Sequence, residues 1–344
     1  MTDSQYTSQA FAEAHHLRYT NNRQPGYTRR KQGKHFVYYD SKGEKINEEK
    51  EVNRMQSLAL PPAYTNVWYS PYSNGHLQAT GKDAQGRTQY RYHSKWRALR
   101  NQQNHSRMHE FGLLLPKIRA RLTHDLALSS LTKTKILATI ATIMDKTLIR
   151  VGNDVYAKTN QSYGLTTFRN KHATVKKDKI HLQFIGKSHK HFSLSLTDST
   201  LAKIVKRTKE LPGYDLFEYI DEENTIQKVN SSDLNTYLHE ISSIDISAKD
   251  FRTWWATVYC YSNLQASVLT NTKERQKQLN TTIEYVASKL GNTPAVCRKH
   301  YINPVIIERF ELRLLKPSKP LKAKKFMSAE ELITLAFLQK IISN

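Results

Sequence analysis

The sequence predicts an α+β chain in two unequal parts, a small β-rich N-terminal domain and a larger, mostly α domain with a β-hairpin inserted in it. Three observations predict it. Short aromatic and β-branched runs bounded by glycine turns fill the first hundred residues, apolar residues recur at helical spacing from Ser94 onward, and strict alternation returns only between His172 and Leu196. The 344 residues exceed one typical domain, so each part can bury a core of its own.

Taken in order, residues 1–35 carry Arg18, Arg23, Arg29, Arg30, Lys31 and Lys34 among Asn, Gln, Gly and Pro with little periodicity, and are expected to be a flexible basic arm. Residues 35–39 and 67–69 read as strands, and 77–80, 81–87 and 88–92 as strand, turn and strand, giving a β-rich domain over 36–100. In the larger domain, 101–312, Phe111, Leu114, Leu115 and Ile118, then Ile136, Leu137, Ile140, Ile143 and Met144, mark helices. Ile180, Leu182 and Phe184 face Phe192, Leu194 and Leu196 across a hairpin whose loop carries Lys187. Helices are expected again over 201–209, 232–241, 251–264 and 282–290. Residues 313–344 read as a basic linker and a terminal helix, where Ser328 and Glu331 form a capping-box pattern before an apolar stripe. That stripe either docks on the larger domain or meets a partner.

The 53 Lys and Arg against 30 Asp and Glu give a net charge of +23, which attracts polyanions and points to nucleic acid. No apolar run is long enough to span a bilayer, and residues 1–14 lack the apolar stretch of a secretory signal. Two cysteines, Cys260 and Cys297, cannot build a disulfide framework or a four-ligand zinc site, and read as core thiols in a reducing compartment. His15, His16, His189 and His191 lack metal-ligand spacing, so no metal or other cofactor is expected.

The chemistry concentrates late in the chain. Gly291 has the position of a glycine that ends a helix, and Thr293-Pro294 that of a cap with proline opening the next, which leaves Asn292 in the turn. Tyr301 falls two turns further on, and Pro304 limits that helix. One tyrosine among 19 is by itself a packing residue as readily as a nucleophile. Arg150 precedes a glycine turn and Arg252 lies beside Lys249 on a Trp-rich segment; an arginine fork suits a phosphate, although a single arginine in so basic a chain is ordinarily a solvated charge. Tyr90 and Tyr92 alternate with Gln89 and Arg91, so the two rings share a face and either meet a ligand or form a half-buried pair.

With these residues in view, the chain resembles the type IB DNA topoisomerases of the compact poxvirus and bacterial kind over roughly residues 60–312. The matching motifs are Pro61-Pro62-Ala63-Tyr64-Thr65-Asn66-Val67-Trp68, Gly75-His76-Leu77-Gln78-Ala79-Thr80-Gly81-Lys82-Asp83, Gln89-Tyr90-Arg91-Tyr92, Arg150-Val151-Gly152-Asn153, Tyr163-Gly164-Leu165-Thr166-Thr167, Gly186-Lys187, Lys249-Asp250-Phe251-Arg252-Thr253-Trp254, and Gly291-Asn292-Thr293-Pro294 through Tyr301. The resemblance implies Tyr301 as nucleophile, Arg150 and Arg252 as the clamp on the scissile phosphate, Lys187 as general acid, and Asn292 at the position that is histidine in the poxvirus enzymes. It also implies contacts to DNA from Gln89, Tyr90 and Tyr92; Tyr156 and Lys249 are further candidates. Asparagine keeps an N–H donor there but cannot carry a proton.

The expected activity is relaxation of supercoils through a transient 3′-phosphotyrosine, without ATP or metal, by a monomer that clamps double-stranded DNA and needs no obligate protein partner. Its expected place is the cytoplasm of a bacterium or the virion or host compartment of a virus. A tyrosine recombinase shares this chemistry, but usually has histidine where Lys249 stands. A non-enzymatic nucleoid protein would account for the charge alone.

Overall fold

The computed structural model describes residues 3–33, 35–265, 267 and 271–342; Lys34 of the expected arm lies outside the described residues. The chain divides into two compact units, Met1–Gln103 and Asn104–Asn344.

The first unit contains α1 (Asp3–Ala14), β1 (Thr28–Gln32), β2 (His35–Tyr39), α2 (Glu49–Ser57), β3 (Thr65–Tyr69), β4 (Leu77–Lys82) and β5 (Thr88–Tyr92), and α3 (Ser94–Leu126) begins in it. β1 and β2 form an antiparallel pair, and β3, β4 and β5 an antiparallel sheet in that order. Tyr38, Met55, Leu60, Val67, Tyr69 and Ala79 form its core, with Ala12, Leu17 and Trp96 in a second cluster.

In its described part the segment expected as a flexible arm contains α1 and β1. Two of its cations have aromatic partners. Arg29 lies 4.2 Å over the ring of Phe36 and Arg30 4.5 Å over that of Tyr39, so their stems and forks cover aromatic surface that a linear reading leaves unpaired.

The second unit continues with α4 (Lys133–Thr147), α5 (Asp154–Asn160), β6 (Ala173–Lys176), β7 (Lys179–Ile185), β8 (His191–Thr197), α6 (Ser199–Lys209), β9 (Glu218–Ile220), β10 (Ile226–Lys228), α7 (Ser231–Ser242), α8 (Ala248–Leu264), α9 (Thr272–Leu290), α10 (Pro294–His300), α11 (Pro304–Glu311) and α12 (Ala329–Ile342). β7 and β8 form the expected hairpin, in register from Lys179 opposite Thr197 to Ile185 opposite His191, and β6 adds a third strand on the far edge of β7. Ile180, Leu182 and Phe184 point into the core.

α4 and α8 supply much of that core. α4 buries residues on every side, which its run of Ile, Leu and Ala permits, and it ends where Leu148 turns left-handed with its N–H donating to the Met144 carbonyl. α8 starts at a capping box of Ser247 and Asp250 and buries Phe251, Trp254, Val258 and Tyr261 along with Arg252. α12 docks on α8: the Tyr261 and Phe337 rings stack at 4.3 Å, and the Trp254 indole donates to the Glu331 carboxylate at 2.9 Å.

Candidate active site

Arg150 is placed by a backbone clip. Beyond the left-handed end of α4, the Arg150 carbonyl accepts from the Leu165 N–H at 2.9 Å and the Val151 carbonyl from the Thr166 N–H at 2.6 Å. Gly164 makes the close approach possible, since a Cβ there would stand 2.5 Å from both the Arg150 carbonyl oxygen and the Gly152 nitrogen. Gly152 itself turns at φ +111°, a conformation open to glycine, before Asn153 caps α5 through the Tyr156 N–H.

Arg252 is almost fully buried at 4% exposure. Its guanidinium donates to the carbonyls of Leu148 and, at 2.8 Å, Leu290, so one fork joins the C-terminal ends of α4 and α9, where backbone dipoles favour a cation. That uses two of its five N–H groups, and the buried Nε is left without a partner.

The turn after α9 has the form its sequence predicts. Gly291 is left-handed at φ +61°, Thr293 accepts from the Val296 N–H, and Pro294 opens α10. Asn292 Oδ1 accepts from Arg150 Nη2, while Nδ2 is buried without a hydrogen bond of ordinary geometry. Tyr301 lies one residue beyond α10 rather than within it. Its N–H closes the last turn on the Cys297 carbonyl at 3.1 Å, and Asn303-Pro304 then starts α11, because the residue before a proline avoids the helical region.

The phenol is thereby brought beside both guanidiniums. Arg252 sits 5.3 Å from the centre of the Tyr301 ring. Burial by itself would push the phenol up; attraction and hydrogen bonding to Arg252, then the charge of Arg150 and the Asn292 amide, outweigh burial and hold it below the ordinary tyrosine range. Burial and the repulsion of Arg252 likewise press the Arg150 guanidinium down. Burial raises the Cys297 thiol, which lies next to the Asn292 amide.

Lys187 stands exposed on the short turn Lys187–His189 between β7 and β8. It lines the same cavity as Arg150 and Arg252, a space of about 360 Å³ whose walls include Phe184, Gly186 and Phe192. Lys249 is exposed near the start of α8, close enough to the buried His105 to disfavour a proton on it. Tyr156 is exposed on α5. On β5 of the first unit, Tyr90 and Tyr92 are 48% and 37% exposed with rings stacked 6.1 Å apart, and the Gln89 amide donates to Asp83 at 3.0 Å. Among the described residues no group of three His, Cys, Asp or Glu is disposed to hold a metal ion.

Two side chains of this site were not singled out from the sequence. Lys190 donates to the Asn292 carbonyl at 3.4 Å, and the Phe192 ring packs between Gly186 and Gly291. Gly186 was the available signal, since a glycine that no left-handed turn requires marks a close approach.

Residues 93–325 match the family described as eukaryotic DNA topoisomerase I, catalytic core, which is well over half of the chain. The chain belongs to the type IB DNA topoisomerases. Residues 35–83 match the bacterial DNA topoisomerase IB N-terminal domain. The chain is 30% identical over 294 residues to the DNA topoisomerase 1B of Acanthamoeba polyphaga mimivirus, an alignment covering 83% of this chain and 88% of that protein. It is 24% identical over 266 residues to the DNA topoisomerase 1B of Vaccinia virus (strain Copenhagen), with 74% and 80% covered, and 23% identical over 264 residues to the DNA topoisomerase I of Monkeypox virus, again with 74% and 80% covered. Family membership removes the recombinase and nucleoid-protein alternatives. This type IB topoisomerase is thus an enzyme of mixed helix and sheet whose helical unit carries the tyrosine, arginine and asparagine cluster described above.

Proposed function

We propose that this topoisomerase relaxes supercoiled duplex DNA by exchanging a phosphodiester with Tyr301, and that Arg150, Lys187, Arg252 and Asn292 assist. The observation that carries the reading is the Tyr301 ring packed beside the Arg252 guanidinium, 5.3 Å from its centre, where the charges of Arg252 and Arg150 hold the phenol below its ordinary range. In cleavage the Tyr301 oxygen bonds to phosphorus and its proton leaves to solvent. The bond from phosphorus to the 5′ oxygen breaks, and that oxygen departs with the bonding pair and takes a proton from the Lys187 ammonium. The product is a 3′-phosphotyrosine and a free 5′ hydroxyl.

Arg150 and Arg252 neutralise the charge that builds on the non-bridging oxygens. Arg252 Nε and Asn292 Nδ2, neither of which has a hydrogen bond of ordinary geometry, are donors for the same oxygens. Asn292 can hydrogen-bond but not titrate, so it takes no part in proton transfer. Because the phosphotyrosine conserves the energy of the phosphodiester, religation needs neither ATP nor metal, and strain in the DNA drives rotation about the intact strand.

Exposed Tyr90 and Tyr92, with Gln89, Tyr156 and Lys249, are proposed contacts to the duplex, and the net charge of +23 supplies the non-specific attraction. The enzyme is proposed to act as a monomer without an obligate protein partner, the β-rich unit serving as a DNA-clamp domain and the helical unit as the catalytic one. No described helix is long and apolar enough to cross a membrane.

The test is a supercoiled plasmid incubated with the protein in EDTA without ATP. Wild type relaxes it, and denaturant traps protein covalently on the DNA. Tyr301→Phe binds the plasmid as tightly but neither relaxes it nor forms the adduct; relaxation by that variant would remove Tyr301 from the reaction.

A further inference from the structure

We propose that Phe192 is a positioning residue for strand cleavage, its ring a wedge that sets where the Lys187 ammonium stands relative to the Asn292 and Tyr301 side of the site. The proposal rests on the reading of Lys187 as proton donor. Three observations lead to it.

The first is the room the ring takes. A Cβ at Gly186 would lie 2.7 Å from Phe192 Cε2, and a Cβ at Gly291 would lie 2.5 Å from Phe192 Cε1. Opposite edges of one ring therefore fill the space that a side chain at either position would need. Those two glycines immediately precede Lys187 and Asn292 in the chain. The wedge touches the backbone one residue before each of two groups that must act on the same phosphate, Lys187 at the leaving oxygen and Asn292 at a non-bridging one.

The second is how the ring is held. Phe192 stacks on Phe184 with centres 5.1 Å apart and planes at 8°, and Phe184 is buried in the core. The position of the wedge is therefore inherited from the β7–β8 sheet. A polar bond runs beside it: the Gly186 N–H donates to the Lys190 carbonyl at 2.8 Å, and the Lys190 ammonium donates to the Asn292 carbonyl at 3.4 Å.

The third is what Lys187 lacks. Among the described residues no hydrogen bond or ion pair engages its ammonium, and the turn that carries it passes through left-handed Ser188 and His189 at φ 64° and 54°. A long side chain on such a turn is aimed only by the backbone beneath it. Phe192 packs against the core while only partly buried, and its remaining surface lines the cavity shared by Lys187, Arg150 and Arg252.

Proton donation to the leaving oxygen distinguishes this role from a structural one. Replacing the 5′ oxygen at the scissile linkage by sulfur lets a thiolate depart unprotonated, since a thiol ionises near pH 8.5, far below an alcohol. The experiment measures single-turnover cleavage of two duplexes, with oxygen or sulfur at a linkage first mapped as one that wild type cleaves. Phe192→Ala is expected to cleave the oxygen duplex ~10²-fold more slowly than wild type and the sulfur duplex within ~3-fold of it, the pattern of a lost general acid. Lys187→Ala shows the same pattern, and Phe192→Leu, which keeps an apolar wedge, recovers most of the rate. Melting curves accompany each variant, and if Phe192→Ala does not fold, Phe192→Val, whose side chain is too short to reach both glycines, takes its place and must show the slowing confined to the oxygen duplex.

Equal slowing of Phe192→Ala on both duplexes, or no slowing on either, overturns the positioning role. If Lys187→Ala is not relieved by sulfur, the reading of Lys187 falls instead. Relief of Lys187→Ala without relief of Phe192→Ala overturns the wedge alone.

Discussion

A tyrosine phenol titrates near pH 10 in water, and Tyr301 departs from that value through its neighbours. Arg252 and Arg150 favour the phenolate more than burial opposes it. The rate of cleavage is therefore expected to rise with pH and level off below pH ~10, the ordinary phenol value. Arg150→Gln removes one of the two cations, so the midpoint must move upward, and the plateau rate should fall about 10²-fold for one lost preorganised donor. An unchanged midpoint in that variant would mean that Arg150 does not set the ionisation of Tyr301. Residue 292 contributes no titration to the profile, whereas Asn292→His adds one near pH ~6.5, the imidazole range.

At the scale of elements, the segment after the basic linker is an integral part of the helical unit. The capping box at Ser328 closes on Glu331, whose carboxylate is 1% exposed and also accepts from Trp254 and from Arg119 at 2.9 Å. Arg119 in turn bonds Asp145 at 2.7 Å, so α3, α4, α8 and α12 meet in one buried network. Removing one partner leaves the others charged and unpaired, so Glu331→Ala is expected to cost ~3–5 kcal/mol by urea unfolding. A loss below ~1 kcal/mol, the usual value of an exposed pair, would show that water takes over those groups.

This network illustrates what a linear reading reaches. The Ser328 cap, the turn from Gly291 to Pro294 and the β7–β8 hairpin depend on residues within a few positions of one another, and all were legible. The partners of Glu331 lie 77 and 212 positions away, and the contact of Phe192 with Gly291 likewise depends on a pairing across the chain. The members of the site could be named singly. That Arg252 is spent partly on the ends of α4 and α9, and that Arg150 holds Asn292, required the fold.

On the scale of the whole molecule, stability is tied to pH through three buried histidines. Burial pushes His76 in the first unit, and His105 and His172 in the second, from 6.5 to about 4. Each is neutral in the folded chain at pH 5 yet protonated in the unfolded one. The unfolded state then binds more protons, so stability rises with pH through this window and is lost as the pH falls from 6.5 toward 4. The depressed carboxylates do not produce the same fall: Asp83 is held at about 2, and Asp125 and Asp198 are also lowered, so their contributions fade only at more acid pH. Glu218, raised by burial, acts in the opposite sense and offsets part of the loss. Protonation also adds to a net charge already at +23, and self-repulsion reinforces the trend. Melting followed at pH 7.5 and pH 5 in the same salt is therefore expected to drop by several degrees, on the order of 5 °C. Substituting His172 by Gln should flatten the slope in the second unit while leaving the first unchanged, and a melting temperature indifferent to pH across this range would show that the three imidazoles are not buried neutral.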